Sequence, residues 1–252
     1  MHKWGLPLLF LWGCALEEAE IPLWYAVEVT GETVPLIPFD CRIENPIKVA
    51  KLILRRDPLT NGLEWVSGHR YALGFFLEQL PIEVVVLEPE WHDTAFFTSS
   101  TLSWNMILQE WLINEFIPFI RPYPQVKVVI FGRGWVQAPL SSSDWERLLS
   151  TLRQYQRDSQ LDSLSWGFCA GTPEAIPAAS EWDIFAIDYQ HFFPPHTRPD
   201  YHAQWEAGGK PLLLLYPNLY EPNPLEARQV RRLFWKTPPI AQVEEIEIGQ
   251  CN

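Results

Sequence analysis

Val126-Lys127-Val128-Val129-Ile130-Phe131 opens the stretch whose reading decides the fold, and Gly132-Arg133-Gly134-Trp135 follows it directly. The β-branched run has the composition of a strand buried on both faces. Ser141 to Gln156 then sets Trp145, Leu148, Leu149, Leu152 and Tyr155 at helical spacing, with Ser143 or Asp144 as the expected cap. Leu164-Ser165-Trp166-Gly167-Phe168-Cys169 and Asp183-Ile184-Phe185-Ala186-Ile187-Asp188-Tyr189 are the next two strands. Strands alternating with helices predict a parallel sheet covered by helices, and in such sheets ligands bind beyond the carboxyl ends of the strands. That rule gathers Arg133, Trp135, Cys169, Asp188, Tyr189 and His191 at one candidate site.

Outward from this stretch, Leu23 to Val29 and Ile82 to Leu87 are strands, and Tyr71 to Leu80 is a helix with Leu73, Phe76, Leu77 and Leu80 inward. Ile47 to Arg55 is open between strand and short helix, with turn signals at Asp57-Pro58 and Asn61-Gly62 beyond it. A long amphipathic helix starts from a cap at Ser99 or Ser100 and runs to about Ile120, where Pro118 is expected to kink or end it. Pro211 to Tyr216 is another buried strand and Asn223 to Trp235 its helix. Gln242 to Ile248 alternates acidic and apolar residues and is open between an edge strand and a tail.

The chain has 252 residues, enough for one β/α barrel. Its 13 Trp and 23 Pro imply many shaped loops and either a large aromatic core or exposed stacking surfaces. A net charge of −12 excludes nucleic acid and anionic membrane surfaces as natural partners. Residues 1–14 have a short basic start and an apolar run too short to span a bilayer, the pattern of a signal peptide. Gly13-Cys14 is similar to a bacterial lipobox, which would make Cys14 the lipidated residue and residues 15–22 a tether before a single domain at 23–252. No CxxC pair, HxH or HxxxH spacing, GxSxG elbow, GxGxxG or phosphate loop occurs, so no metal and no cofactor are expected. A Cys41–Cys251 disulfide is open, since the two residues lie near ends that meet when a barrel closes.

The order of parts from Ser99 to Tyr216 resembles the TIM-barrel glycoside hydrolases of the β-mannanase type. The resemblance is carried by Val84–Glu90, the Leu102–Ile120 helix, Val126–Trp135, Trp145–Tyr155 with Leu152-Arg153, Leu164–Ala170, Trp182–Tyr189 and Lys210–Leu215. It implies a (β/α)8 barrel, incomplete or irregular towards its N-terminal end because little chain precedes Tyr71. The family's acid/base glutamate falls where this chain has Gly132-Arg133-Gly134. Its nucleophilic glutamate falls where this chain has Tyr216-Pro217-Asn218. Retaining hydrolysis needs two carboxyls about 5–5.5 Å apart, and an arginine cannot exchange the proton. The expectation is therefore a glycoside-hydrolase-like protein without the usual glutamates, which binds a polysaccharide or oligosaccharide or serves as a scaffold at the bacterial cell envelope. The alternative is an active hydrolase using relocated carboxylates among Glu88, Glu90, Asp188 and Glu221. A Glu88–Arg133 ion pair is the structural reading of the first of these. Trp91, Arg133, Trp135, Trp166, Tyr189, His191 and Tyr216 are the expected sugar-contacting residues, two or three of the aromatic ones with exposed faces.

Overall fold

A computed structural model describes residues 22–30, 46–57, 59–60, 62–90, 96–97, 103–170, 173–188, 207–216 and 240–246. Eight parallel strands close into a barrel in the order β1 (Leu23–Val29), β2 (Ile47–Arg56), β4 (Val84–Pro89), β5 (Val128–Phe131), β6 (Ser165–Cys169), β7 (Ile184–Asp188), β8 (Leu212–Tyr216) and β9 (Ala241–Ile246), with β9 returning to β1. The barrel is complete. Its irregularity is a short antiparallel strand, β3 (Leu63–Trp65), which pairs with the top of β2 through Leu54 and Trp65. The segment from Ile47, left open between helix and strand, is the ten-residue strand β2. Its Val49, Ala50 and Leu52 are all buried, as a strand covered on both faces demands.

Two apolar layers result from the two faces of the strands. Ala26, Val49, Val84, Val86, Ile130, Cys169, Ile184, Ala186, Leu213, Ala241 and Val243 fill the inside of the barrel. The alternate positions, such as Val85, Leu87, Val129, Phe131, Trp166 and Phe168, pack outward against the helices. The period of two along each strand thus sets what faces the centre, as barrel closure requires. The C-terminal segment is neither an edge strand nor a tail. β9 is hydrogen-bonded on both sides, to β8 through Leu215 and Val243 and to β1 through Trp24 and Val243.

Helix α1 spans His69–Gln79 and turns Leu73, Phe76 and Leu77 inward. The long helix begins at α2 (Trp104–Trp111), with Ser103 at its N-cap; the expected caps at Ser99 and Ser100 lie outside the described residues. Pro118 does not end it. A π-turn over Leu112–Phe116 comes first, in which the Ile117 N–H reaches back to the Leu112 carbonyl, and α3 (Ile117–Ile120) continues. A widened turn just before a proline relieves the crowding of its ring against the preceding turn. Helix α4 (Ser142–Asp158) is capped by Ser141, two residues before the nearer of the two expected caps. The Ser141 Oγ accepts the Asp144 N–H at 3.2 Å, and the Asp144 carboxylate accepts the Ser141 N–H at 3.0 Å. The predicted helix at Asn223–Trp235 lies outside the described residues.

Most of the described tryptophans build the core. Trp104, Trp111, Trp135, Trp145, Trp166 and Trp182 are all buried. Phe131 meets Trp135, Trp145, Trp166 and Trp182 at centroid distances of 5.2–6.0 Å. Such edge and offset contacts contribute beyond the area that they bury.

Candidate functional site

The carboxyl ends of β1, β2, β4 and β5 surround the described part of the barrel mouth. Glu88 shares its strand face with Val84 and Val86 of the barrel interior and ends that row. It is only 7% exposed. Its Oε1 accepts the Arg133 backbone N–H at 3.1 Å, and its Oε2 accepts the Gly134 N–H at 3.2 Å. These amides open the short 3-10 helix Arg133–Gln137 that follows β5. Unpaired N–H groups at a helical start suit an anionic oxygen, and such charge-assisted bonds are the stronger kind. Gly132 makes the fit possible: a Cβ there would stand 2.1 Å from Glu88 Oε1 and 2.2 Å from its carboxyl carbon. The Glu88–Arg133 contact seen here is a backbone hydrogen bond, a different contact from the expected side-chain ion pair.

Glu90 sits two residues on, half-buried, and takes Arg55 of β2 in a two-pronged contact of 3.2 and 3.3 Å. Lys51, on the same strand face as Val49 of the interior, pairs with Glu28 of β1 at 3.4 Å. Behind these strand ends His69 starts α1, buried and with its Nδ1 lacking a partner among the described residues. Burial holds its imidazole below the usual histidine range, opposed by a hydrogen bond to the Ile53 backbone and by Glu28 and Glu90, with Arg55 adding to the lowering. Glu28, Lys51, Arg55 and His69 were not singled out by sequence. The alternation Val49, Lys51, Ile53, Arg55 was the available signal, hidden while that segment was open between helix and strand.

Several expected site residues lie elsewhere. Trp135 is core: its Nε1 donates to the Leu87 carbonyl at 2.9 Å and its ring packs against Phe96, Phe97 and Trp104. Trp166 is also core, on the outward face of β6, with Nε1 donating to Gln156 Oε1 of α4 at 3.0 Å. Both are buried where an exposed stacking face was expected: Trp166 because alternation along β6 turns it to the helix layer, and Trp135 because the 3-10 turn after β5 tucks its ring under Phe96, Phe97 and Trp104. Cys169 is buried within the barrel interior. Asp188 and Tyr216 end β7 and β8 as expected, while Trp91, Tyr189, His191, Glu221, Cys14, Cys41 and Cys251 lie outside the described residues. Among the described residues no cluster of three or more His, Cys, Asp or Glu is placed to hold a metal, and no helix is long and apolar enough to cross a membrane.

The motifs that carried the family resemblance have structural work. Arg153 Nη1 donates to Glu181 at 3.0 Å and Nη2 to Asp183 Oδ1 at 3.2 Å, and Nη2 also reaches the Glu181 carbonyl. Asp183 Oδ2 in turn accepts the Trp166 N–H at 2.9 Å, and Trp182 Nε1 donates to the Pro177 carbonyl at 2.6 Å. Leu152-Arg153 and Trp182-Asp183 therefore clamp α4 to the start of β7.

No protein family and no curated protein matches the chain by sequence. By structure it is similar to a β-glucuronidase of an uncultured Clostridium sp., with a TM-score of 0.53 and 10% identity over 89% of this chain. It is similar to the malate synthase of Haloferax volcanii in its lead(II) complex, with a TM-score of 0.51, 11% identity and 92% of this chain against 71% of that one. It is also similar to the chitinase-like agglutinin RobpsCRA of Robinia pseudoacacia, with a TM-score of 0.50, 15% identity and 78% against 69%. The chain spans 43% of the β-glucuronidase. These likenesses establish the fold, a TIM-like barrel.

Proposed function

We propose that this barrel binds a neutral carbohydrate at its mouth and does not carry out double-displacement hydrolysis at the positions that β-mannanase-type enzymes use. The observation behind this reading is the union of Glu88 with Gly132. The resemblance sets the acid/base glutamate of β-mannanase-type enzymes at Gly132-Arg133-Gly134, and here the missing side chain of Gly132 makes room for Glu88. Both Glu88 oxygens accept backbone N–H groups, so the carboxylate is held as an acceptor at the start of the Arg133–Gln137 helix. Two of the described cations around the mouth are matched by carboxylates, Lys51 by Glu28 and Arg55 by Glu90. That balance suits hydroxyl groups better than a phosphate or carboxylate. The glycosidase-like and agglutinin neighbours are compatible with this reading at the level of fold.

A second reading is favoured by the same pair. The Glu88 carboxyl carbon reaches within 2.2 Å of a Cβ position on residue 132, so a carboxylate from β4 stands at the end of β5. An active glycosidase with relocated carboxylates would use it. Both readings keep the protein exported and anchored through Cys14, a proposal resting on residues 1–14 alone. Mass spectrometry of Cys14 from a bacterial host tests the anchor, and an unmodified thiol removes it. The function is tested by incubating the chain lacking residues 1–14 with a polysaccharide panel that includes mannans and following reducing ends over days. Retention on an affinity gel without release is the expected result. Release abolished by Glu88→Gln would replace the first reading by the second.

A further inference from the structure

On the outer wall an open cleft of about 610 Å³ starts at the segment between β3 and α1 and runs along α1 and α3. Its floor and walls include Trp65, Tyr71, Phe75, Phe119 and Tyr123, an aromatic density that a soluble surface seldom leaves uncovered. Tyr71 is 72% exposed. From Arg70 to Glu78 the α1 wall is about 12 Å long, which makes the cleft an elongated trough. Gly74 lies in its wall, in the interior of α1. Nothing local requires a glycine there: its φ is not positive, and a Cβ would make only ordinary contacts of 3.6–3.9 Å with Tyr123 and Phe119. A glycine inside a helix costs about 0.5–1 kcal/mol relative to alanine; what it contributes is the open space.

The geometry points to a second carbohydrate site in this trough, one that takes a run of a neutral polysaccharide chain. The exposed Tyr71 ring offers its face to a pyranose, while Ser67, Glu78 and the tyrosine hydroxyls line the wall for ring hydroxyls. The cation in the lining is already committed. Arg70 donates to Glu115 at 3.1 Å, with its guanidinium over the Trp65 and Phe119 rings at 5.9 and 5.6 Å. With Arg70 paired and a net charge of −12, an acidic polymer is disfavoured. A trough open to solvent suits a chain held along its length, whereas the mouth suits a short ligand. The inference rests on the carbohydrate reading of the mouth only for its choice of ligand class.

The test is affinity electrophoresis of the full chain in native gels containing galactomannan, glucomannan or hydroxyethyl cellulose, with calorimetric binding of the corresponding hexasaccharides in parallel. Tyr71→Ala removes an exposed ring and leaves the core untouched, and Gly74→Leu fills the trough, its melting temperature being compared with the parent's because its side chain meets Tyr123 and Phe119. Each is expected to weaken retardation by the retaining gel at least fivefold while leaving hexasaccharide binding within twofold. Wild-type retardation in both variants overturns the trough site, as does the absence of retardation in every gel. Loss of retardation in the trough variants with no hexasaccharide binding by any form would leave the trough standing and refute the mouth. Protection of the trough by a bound peptide, with no response to polysaccharide, also overturns the proposal.

Discussion

Gly132 and Glu88 show what a single residue decides here. Gly132→Ala would drive a Cβ into the Glu88 carboxylate, 2.1 Å away, and expel it from its two amides. Overpacking of this kind costs about 1–3 kcal/mol, and the midpoint of urea unfolding should fall accordingly. Glu88→Ala leaves two N–H groups without their acceptor, a similar loss of about 1–3 kcal/mol. Because the two sites touch, the double variant should lose clearly less than the sum. Additive losses would mean that the carboxylate is not held as described. His69 gives a prediction in pH. Its folded-state pKa is depressed, chiefly by burial, so the unfolded chain binds the proton more readily. The stability it contributes is complete above the unfolded value near 6.5 and is lost as pH falls towards the folded value. Urea midpoints should therefore drop between pH 7 and pH 5, and His69→Gln should flatten that slope. An unchanged slope would show that His69 is not the titrating group.

Elements hold their places through a few polar clamps. Ser141→Ala removes the cap of α4 and should cost about 1 kcal/mol. Hydrogen bonds from Ser141 keep the Asp144 carboxyl below its usual range, so this support is present above the unfolded aspartate value and fades as pH falls through the lower, folded one. The Ser141→Ala penalty should therefore shrink in acid. Arg153→Met breaks the tie between α4 and the segment leading into β7, and loss of hydrogen bonds to a charged group should cost about 1.5–3 kcal/mol. If thermal melting of Arg153→Met matches the parent, the clamp is ornamental. This clamp also explains what was legible in the sequence. Leu152-Arg153 and Trp182-Asp183 stood out because their chemistry is demanding, but the demand is structural, and so they announced the barrel and not its site.

At the scale of the whole molecule, closure is the event that matters. β9 supplies hydrogen bonds to both β8 and β1, so a chain ending before residue 240 would carry two open edges. Such edges template pairing between molecules, and the truncated chain is expected to elute as aggregates in size-exclusion chromatography. A monomeric, cooperatively folded product would contradict the closed barrel.

The sequence by itself determined the strand–helix alternation, most element positions and the helix-covered parallel sheet, because period-two and helical apolar patterns are local properties of the chain, and the family resemblance pointed to a barrel. It also located Glu88 and Gly132-Arg133-Gly134 at strand ends. Only the tertiary structure decided that Gly132 exists for Glu88, since the two are 44 positions apart and meet across β4 and β5. Only it turned Trp166 into core, because which face of a strand looks inward depends on registers set by its neighbours, and Trp135, because its ring is packed by residues distant in sequence. And only closure made β9 an interior strand, since its pairing with β1 joins opposite ends of the chain.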